Sequence, residues 1–279
     1  FNTYIERVHT DTNMELILHI SAGALVGFAI GITGVGGGSL MTPVLLLFGY
    51  PVPIAIGTDL LYAAITKAGG ALSHHHAGNV DWSIVRLLAI GSVPTAILVH
   101  AAMSKATFQD SPRFGELLTF SLGVMLIITA IILIFRNKLR EKAVENKPPL
   151  LMNFIQRRRS GLTFAMGILL GVCVTLSSVG AGAFAAAILL TIHSQTRAVK
   201  IIGSDIAHAV PLTFIAGLGY LFNGYVDLML LLSLLIGSLP AIALGSRLSN
   251  RVPEKTLQGL LTVILLGLGL YYALFNSWH

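Results

Sequence analysis

The chain is short of charge, and what charge it has is bunched. Of its 279 residues 11% are Asp, Glu, Lys or Arg, against about 25% in an ordinary soluble domain. Residues 16–58, 87–104, 117–135, 160–196, 206–226, 228–246 and 256–279 carry none at all. Several of these runs match the roughly 20 apolar residues that cross a bilayer core, and one soluble core does not account for so many. A soluble fold is excluded, and the chain reads as an all-α polytopic membrane protein. A single cysteine, Cys173, excludes an internal disulfide and a cysteine metal cluster. The first residues, FNTYIERVHTDTNMELILHI, lack the basic start and short apolar core of a cleavable signal. HExxH and GxSxG are missing too, and no soluble domain accompanies the apolar runs, which argues against a membrane-embedded enzyme.

The net charge is +6, and eight Lys or Arg fall between Arg136 and Arg159. Beside membrane helices such a cluster reads as a cytoplasmic loop near anionic lipid. The lipid bilayer, and not nucleic acid, is the expected partner.

Two halves of the chain resemble each other. GTDLLYAAITKAGG from Gly57 parallels GSDIAHAVPLTFIAG from Gly203, 146 residues on. The same offset carries Asp59 to Asp205, Gly78 to Gly224, Asp81 to Asp227 and IGSVP (90–94) to IGSLP (236–240). Upstream, GVGGG (34–38) meets SVGAG (178–182) at an offset of 144. The resulting division is a segment 1–15, a first membrane repeat 16–135, a basic cytoplasmic loop 136–160 and a second repeat 161–279. Each repeat reads as five helical elements: 16–33, 39–48, 55–77, 83–103 and 115–135, then 161–177, 183–193, 200–222, 228–248 and 256–276. An odd number of crossings inverts the second repeat. With the basic loop inside, Arg86, Arg197, Lys200, Arg247, Arg251 and Lys255 also fall inside, leaving Arg7, Lys105 and Arg113 outside, as the positive-inside rule requires. Both termini are then expected outside.

Four glycines in five positions, GVGGG, dismantle a helix in the middle of an apolar run. From Gly38 to Phe48 is 11 residues, about 16 Å, roughly half a bilayer core. Broken backbone at that depth must be buried by protein or line a wet cavity. In inverted-repeat transporters paired broken helices build the substrate site at the midplane, with helix starts facing anions. The other glycine stripes, Gly23, Gly27 and Gly31, and Gly167 and Gly171, have the four-residue spacing of close helix packing.

These motifs taken together, GVGGGSLMTPVLLLFG followed by IGTDLLYAAITKAGGALSHHHAGNVDW with a degenerate second copy, resemble the TauE/SafE sulfite exporter family (TSUP). The resemblance covers nearly the whole chain. It implies transport of sulfite, sulfonates, sulfoacetate or similar small anions, in either direction. SVGAG replaces GVGGG in the second half, so the two breaks need not play the same part.

Asp59, Lys67 and Asp205 lie inside predicted membrane helices, where ionisable groups usually face a cavity or a partner. Lys67 is either the cation that meets an anion or a member of a structural ion pair. Asp59 and Asp205, each after a small hydroxyl residue, either cap a helix start or take part in proton coupling. His208, three residues after Asp205 and on the same face, either relays protons or is a hydrogen-bonded core histidine. His74, His75 and His76 cannot all face one way, and Asp81 and Asp227 read as helix caps.

The function expected is a secondary transporter of a small organic or sulfur-containing anion, coupled to protons, by alternating access between inverted halves. A passive anion channel is the alternative, and a metal enzyme using the histidines a more distant one. The substrate-binding set is Gly36, Gly37, Gly38, Ser39, Thr58, Lys67, Ser178, Gly180, Gly182 and Ser204. The proton-coupling set is Asp59, Asp205 and His208. No cofactor or bound metal is called for, a homo-oligomer is compatible with the sequence, and the bacterial cytoplasmic (inner) membrane is the expected location.

Overall fold

The structure, a computed structural model, describes residues 12–33, 40–104, 112–144, 155–180, 182–248 and 254–274. The main helices formed by those residues are α1 (Thr12–Thr33), α2 (Met41–Leu47), α3 (Val52–His76), α4 (Trp82–Met103), α5 (Pro112–Val144), α6 (Arg159–Ser177), α7 (Ala183–Ile192), α8 (Ala198–Phe222), α9 (Leu228–Leu248) and α10 (Glu254–Leu274). Each falls on one of the predicted elements. Among the described residues, α1, α4, α5, α6, α8 and α9 are long and apolar enough to cross a membrane. At 25 residues α3 is about 37 Å long, but it carries Asp59, Lys67 and three histidines. The helices α2 and α7, of 7 and 10 residues, are about 10 and 15 Å long and cannot cross alone. The fold is that of a polytopic all-helical membrane protein with a short helix second in each half.

Two of the boundaries that depart from expectation have a clear cause in the sequence. Pro51 and Pro53 let α3 begin at Val52, because the first turn of a helix has amides that would go unpaired anyway. At the other extreme, α5 runs on to Val144, nine residues into what the sequence suggested was a loop. Arg, Lys, Leu, Glu and Ala in RNKLREKAV are all strong helix formers, and nothing in that stretch stops the helix where the membrane would end.

Small residues decide which helices meet. A side chain at Gly23, Gly27 or Gly31 of α1 would strike the backbone of Leu234, Ser238 or Ile242 of α9. One at Gly167 or Gly171 of α6 would strike Leu88 or Ser92 of α4. From the other side, Gly237 faces Ile20, Gly245 faces Phe28, and Gly91 faces Phe164. These stripes let helix backbones approach closely, as predicted for them, and close approach is what drives association in lipid. The first helix of each half therefore packs on the fourth helix of the other, with the contacts related by the same offsets of 144 and 146 that relate the sequences.

The third helices meet at the centre. Gly57 near the start of α3 lies against Tyr220 and the Tyr225 carbonyl at the end of α8, while Gly203 near the start of α8 lies against His74 and the Asn79 carbonyl at the end of α3. Between them Gly217 touches Leu61 and Gly70 touches Ile206, so α3 and α8 run antiparallel. Around this pair lies an apolar core that includes Ile56, Leu60, Leu88, Leu118, Leu170, Leu189 and Leu212.

Candidate functional site

In the second half α6 ends where Ser178 turns to φ 57°, and its amide closes the helix on the Val174 carbonyl at 2.8 Å. Gly180 and Gly182 follow at φ 127° and 131°, conformations that side chains other than glycine's rarely tolerate. Then α7 begins, with the Ala186 amide donating to the Gly182 carbonyl at 2.8 Å. The corresponding stretch of the first half, with Gly36, Gly37, Gly38 and Ser39, lies outside the described residues.

Asp59 gathers this region together. It is fully buried, and its Oδ2 accepts from the Thr42 amide (3.1 Å), the Thr42 hydroxyl (2.5 Å) and the Ser178 hydroxyl (3.0 Å). One carboxylate thus holds the first turn of α2 and the bend of the opposite half. Asp205, 2% exposed, accepts the Gly182 amide just ahead of α7. Each aspartate ties the long third helix of its half to the start of its short second helix. They do not cap their own helices, because α3 and α8 begin seven residues earlier, at Val52 and Ala198. The second oxygen of each, Oδ1, is buried with no hydrogen-bond partner among the described residues.

Lys67, 6% exposed, lies two turns beyond Asp59 on α3, within electrostatic range of Asp59, Asp205 and His208. His208 is fully buried, with Nε2 2.7 Å from the Ser92 hydroxyl on α4. The positions equivalent to this pair are Tyr62 and Ser238, whose hydroxyls are neighbours without a hydrogen bond of good geometry. So each half presents a ring with a polar edge opposite a serine, a histidine in one and a tyrosine in the other.

Thr58 and Ser204 are occupied elsewhere. One residue along a helix turns the side chain by about 100°, and their hydroxyls accept the amides of Asp227 (3.3 Å) and Asp81 (2.7 Å), across the interface between halves. Asp227 and Asp81 in turn cap α9 and α4, accepting the Leu230 and Ser83 amides, each at 3.0 Å. Of the sequence-predicted residues, the structure brings together Asp59, Lys67, Ser178, Gly182, Asp205 and His208. Thr42, Ser92, Tyr62 and Ser238 were not foreseen, although applying the repeat offset to His208 points straight to Tyr62.

Long apolar helices around a buried cluster of acids, a lysine and a histidine define an integral, multi-pass membrane protein with a charged interior. The chain belongs to the family described as Sulfite exporter TauE/SafE, which it matches over residues 19–272. It is 37% identical to the probable membrane transporter protein YjnA of Bacillus subtilis over 90% of this chain and 97% of that one. It is 28% identical to the probable membrane transporter protein YdhB of the same organism, over 89% and 97%, and 27% identical to the probable membrane transporter protein MJ0441 of Methanocaldococcus jannaschii, over 93% and 97%. No solved structure matches the chain. Family and relatives make this a membrane transporter.

Proposed function

We propose that the protein is a secondary transporter of a small organic or sulfur-containing anion, coupled to protons, in a bacterial cytoplasmic membrane. The observation that carries this reading is the buried grouping of Lys67 with Asp59, Asp205 and His208. Ionisable groups this deep in a membrane bundle are costly and mark substrate or proton paths. Lys67 is the counter-charge for the anion, and the two aspartates with His208 carry the protons. Gly180 and Gly182 keep the backbone of the second break open beside them. The glycine run 36–38 and Ser39 take the equivalent part on the strength of the repeat. Thr58 and Ser204 serve to anchor the two halves to each other.

The halves are inverted, and the antiparallel crossing of the equivalent helices α3 and α8 supports this, as does the distribution of basic residues. Inverted halves can exchange conformations, which gives alternating access. Thermal unfolding of detergent-purified protein with sulfite, methanesulfonate, sulfoacetate, taurine and acetate tests the reading. A ligand at a hundredfold excess over its dissociation constant adds about 2.7 kcal/mol of apparent stability. A selective gain with an anion, lost in Lys67→Met, is expected. An unchanged gain in that variant would reject Lys67 as the counter-charge.

A further inference from the structure

The buried charges do not balance among the described residues. Among the described residues the buried acids are Asp59 and Asp205, and the buried base other than His208 is Lys67. With both carboxylates ionised and the lysine protonated these three groups carry one net negative charge. The helices packed on α3 or α8, which include α2, α4, α5, α6, α7 and α9, bring no further fully buried acid or base among the described residues; the partly buried His74 of α3 and His100 of α4 lie toward the two ends of α8, against Gly203 and Gly219. The nearby polar groups are neutral: Thr42, Tyr62, Ser92, Ser178 and Ser238. A net charge held out of water is costly, which favours one proton on this set when no anion is bound. The two unpartnered Oδ1 atoms are the places where a carboxyl proton would sit.

We propose, building on the anion-transport reading above, that the site takes up one monoanion together with one proton and disfavours dianions. A monoanion brings one negative charge, and one ionised carboxylate remains to be protonated in response, which restores neutrality. A dianion brings two. After the second carboxylate is protonated the sole remaining base in the set is His208, whose Nε2 is already engaged by Ser92. The count is independent of which group holds each proton, because interacting sites titrate as a set. Anion and proton then enter and leave together, without net movement of charge. The substrate class narrows to singly charged sulfonates, carboxylates and hydrogen sulfite, in preference to sulfate or sulfoacetate.

The test is calorimetric titration of the purified protein with methanesulfonate, acetate, sulfate and sulfoacetate, in two buffers of one pH but different heats of ionisation. Uptake of about one proton per bound methanesulfonate or acetate is expected, with affinity falling about tenfold per unit rise in pH where uptake is complete. Binding of the two dianions should be weaker by roughly tenfold or more. In the Asp59→Asn/Asp205→Asn double variant proton uptake should vanish and affinity should lose its pH dependence. A monoanion that binds the native protein with the same heat in both buffers overturns the proposal, as does tighter binding of sulfate, and in each case anion transport stands. Absence of both heat and thermal stabilisation with every anion overturns the anion-transport reading itself, and this inference with it.

Discussion

The Ser178 hydroxyl donates to Asp59 Oδ2 across 3.0 Å, joining the bend between α6 and α7 of one half to the third helix of the other. Thr42 donates twice to the same oxygen. A carboxylate oxygen that accepts three hydrogen bonds is a hub, and its loss leaves three donors behind.

Replacing Asp59 should therefore depend strongly on what replaces it. Asp59→Asn keeps an oxygen for all three donors but puts its amide NH2 at the unpartnered Oδ1 position, and should cost about 1–3 kcal/mol. Asp59→Ala strands them and should cost about 3 kcal/mol or more, at 1–3 kcal/mol for each buried donor left unpaired. Thermal unfolding in detergent reads the order, and equal losses would show that these bonds do not hold the break together.

Ser178 sits at φ 57°, a conformation that costs a residue with a side chain about 1–2 kcal/mol. Ser178→Ala loses the bond to the carboxylate and keeps the strain, for a loss of about 2–3 kcal/mol. Ser178→Gly loses the same bond but relieves the strain, so it should be about 1 kcal/mol more stable than the alanine variant. An alanine variant as stable as the glycine one would argue that the backbone here is not strained.

The glycines separate into two kinds. At Gly27 an added methyl would lie 2.6 Å from the Ser238 carbonyl, and at Gly171 the same distance from that of Ser92. Alanine at either should lower stability by about 1–3 kcal/mol as the helices are forced apart. Gly69 in α3 has nothing within 4 Å, and alanine there should raise stability by about 0.5–1 kcal/mol. Melting temperatures of the three variants check this, and an unperturbed Gly27→Ala would contradict the close α1–α9 contact.

Asp81 caps α4 and lies 3.8 Å from Lys200, with both side chains partly exposed. The cap is worth about 1 kcal/mol and a half-exposed ion pair less. Asp81→Ala should lose about 1 kcal/mol whatever the salt concentration, and Asp81→Asn should lose little. A loss in Asp81→Ala that disappears at high salt would assign the stabilisation to the ion pair.

Legibility in the sequence followed the range of the interaction. The span of α9 was read to the residue, because an acidic cap precedes it and a basic cluster follows its apolar run. The far end of α5 differs from the sequence reading because a run of charge marks where the membrane ends and not where the helix does, and helix propensity persists in water. At the site, Asp59, Lys67, Asp205 and His208 stood out because an ionisable group is conspicuous in an apolar run. Thr42, Ser92 and Ser178's bond to Asp59 were invisible for a different reason: a threonine or serine in a membrane helix is unremarkable until its partner, 17 to 119 residues away, is known. Thr58 and Ser204 drew notice as neighbours of the aspartates, yet adjacency in sequence turns a helical side chain to another face.

The pairing of α1 with α9 and of α6 with α4 bears on how the protein is made. When translation has delivered α1 to α5, the glycine faces of α1 and α4 still lack their partners, since the helices that fill them in the finished fold have not been synthesised. Multidomain chains commonly mature from the N-terminus, one unit at a time. Here the nascent first half is inserted but unfinished, and its close contacts form only as the second half arrives and the two lock together.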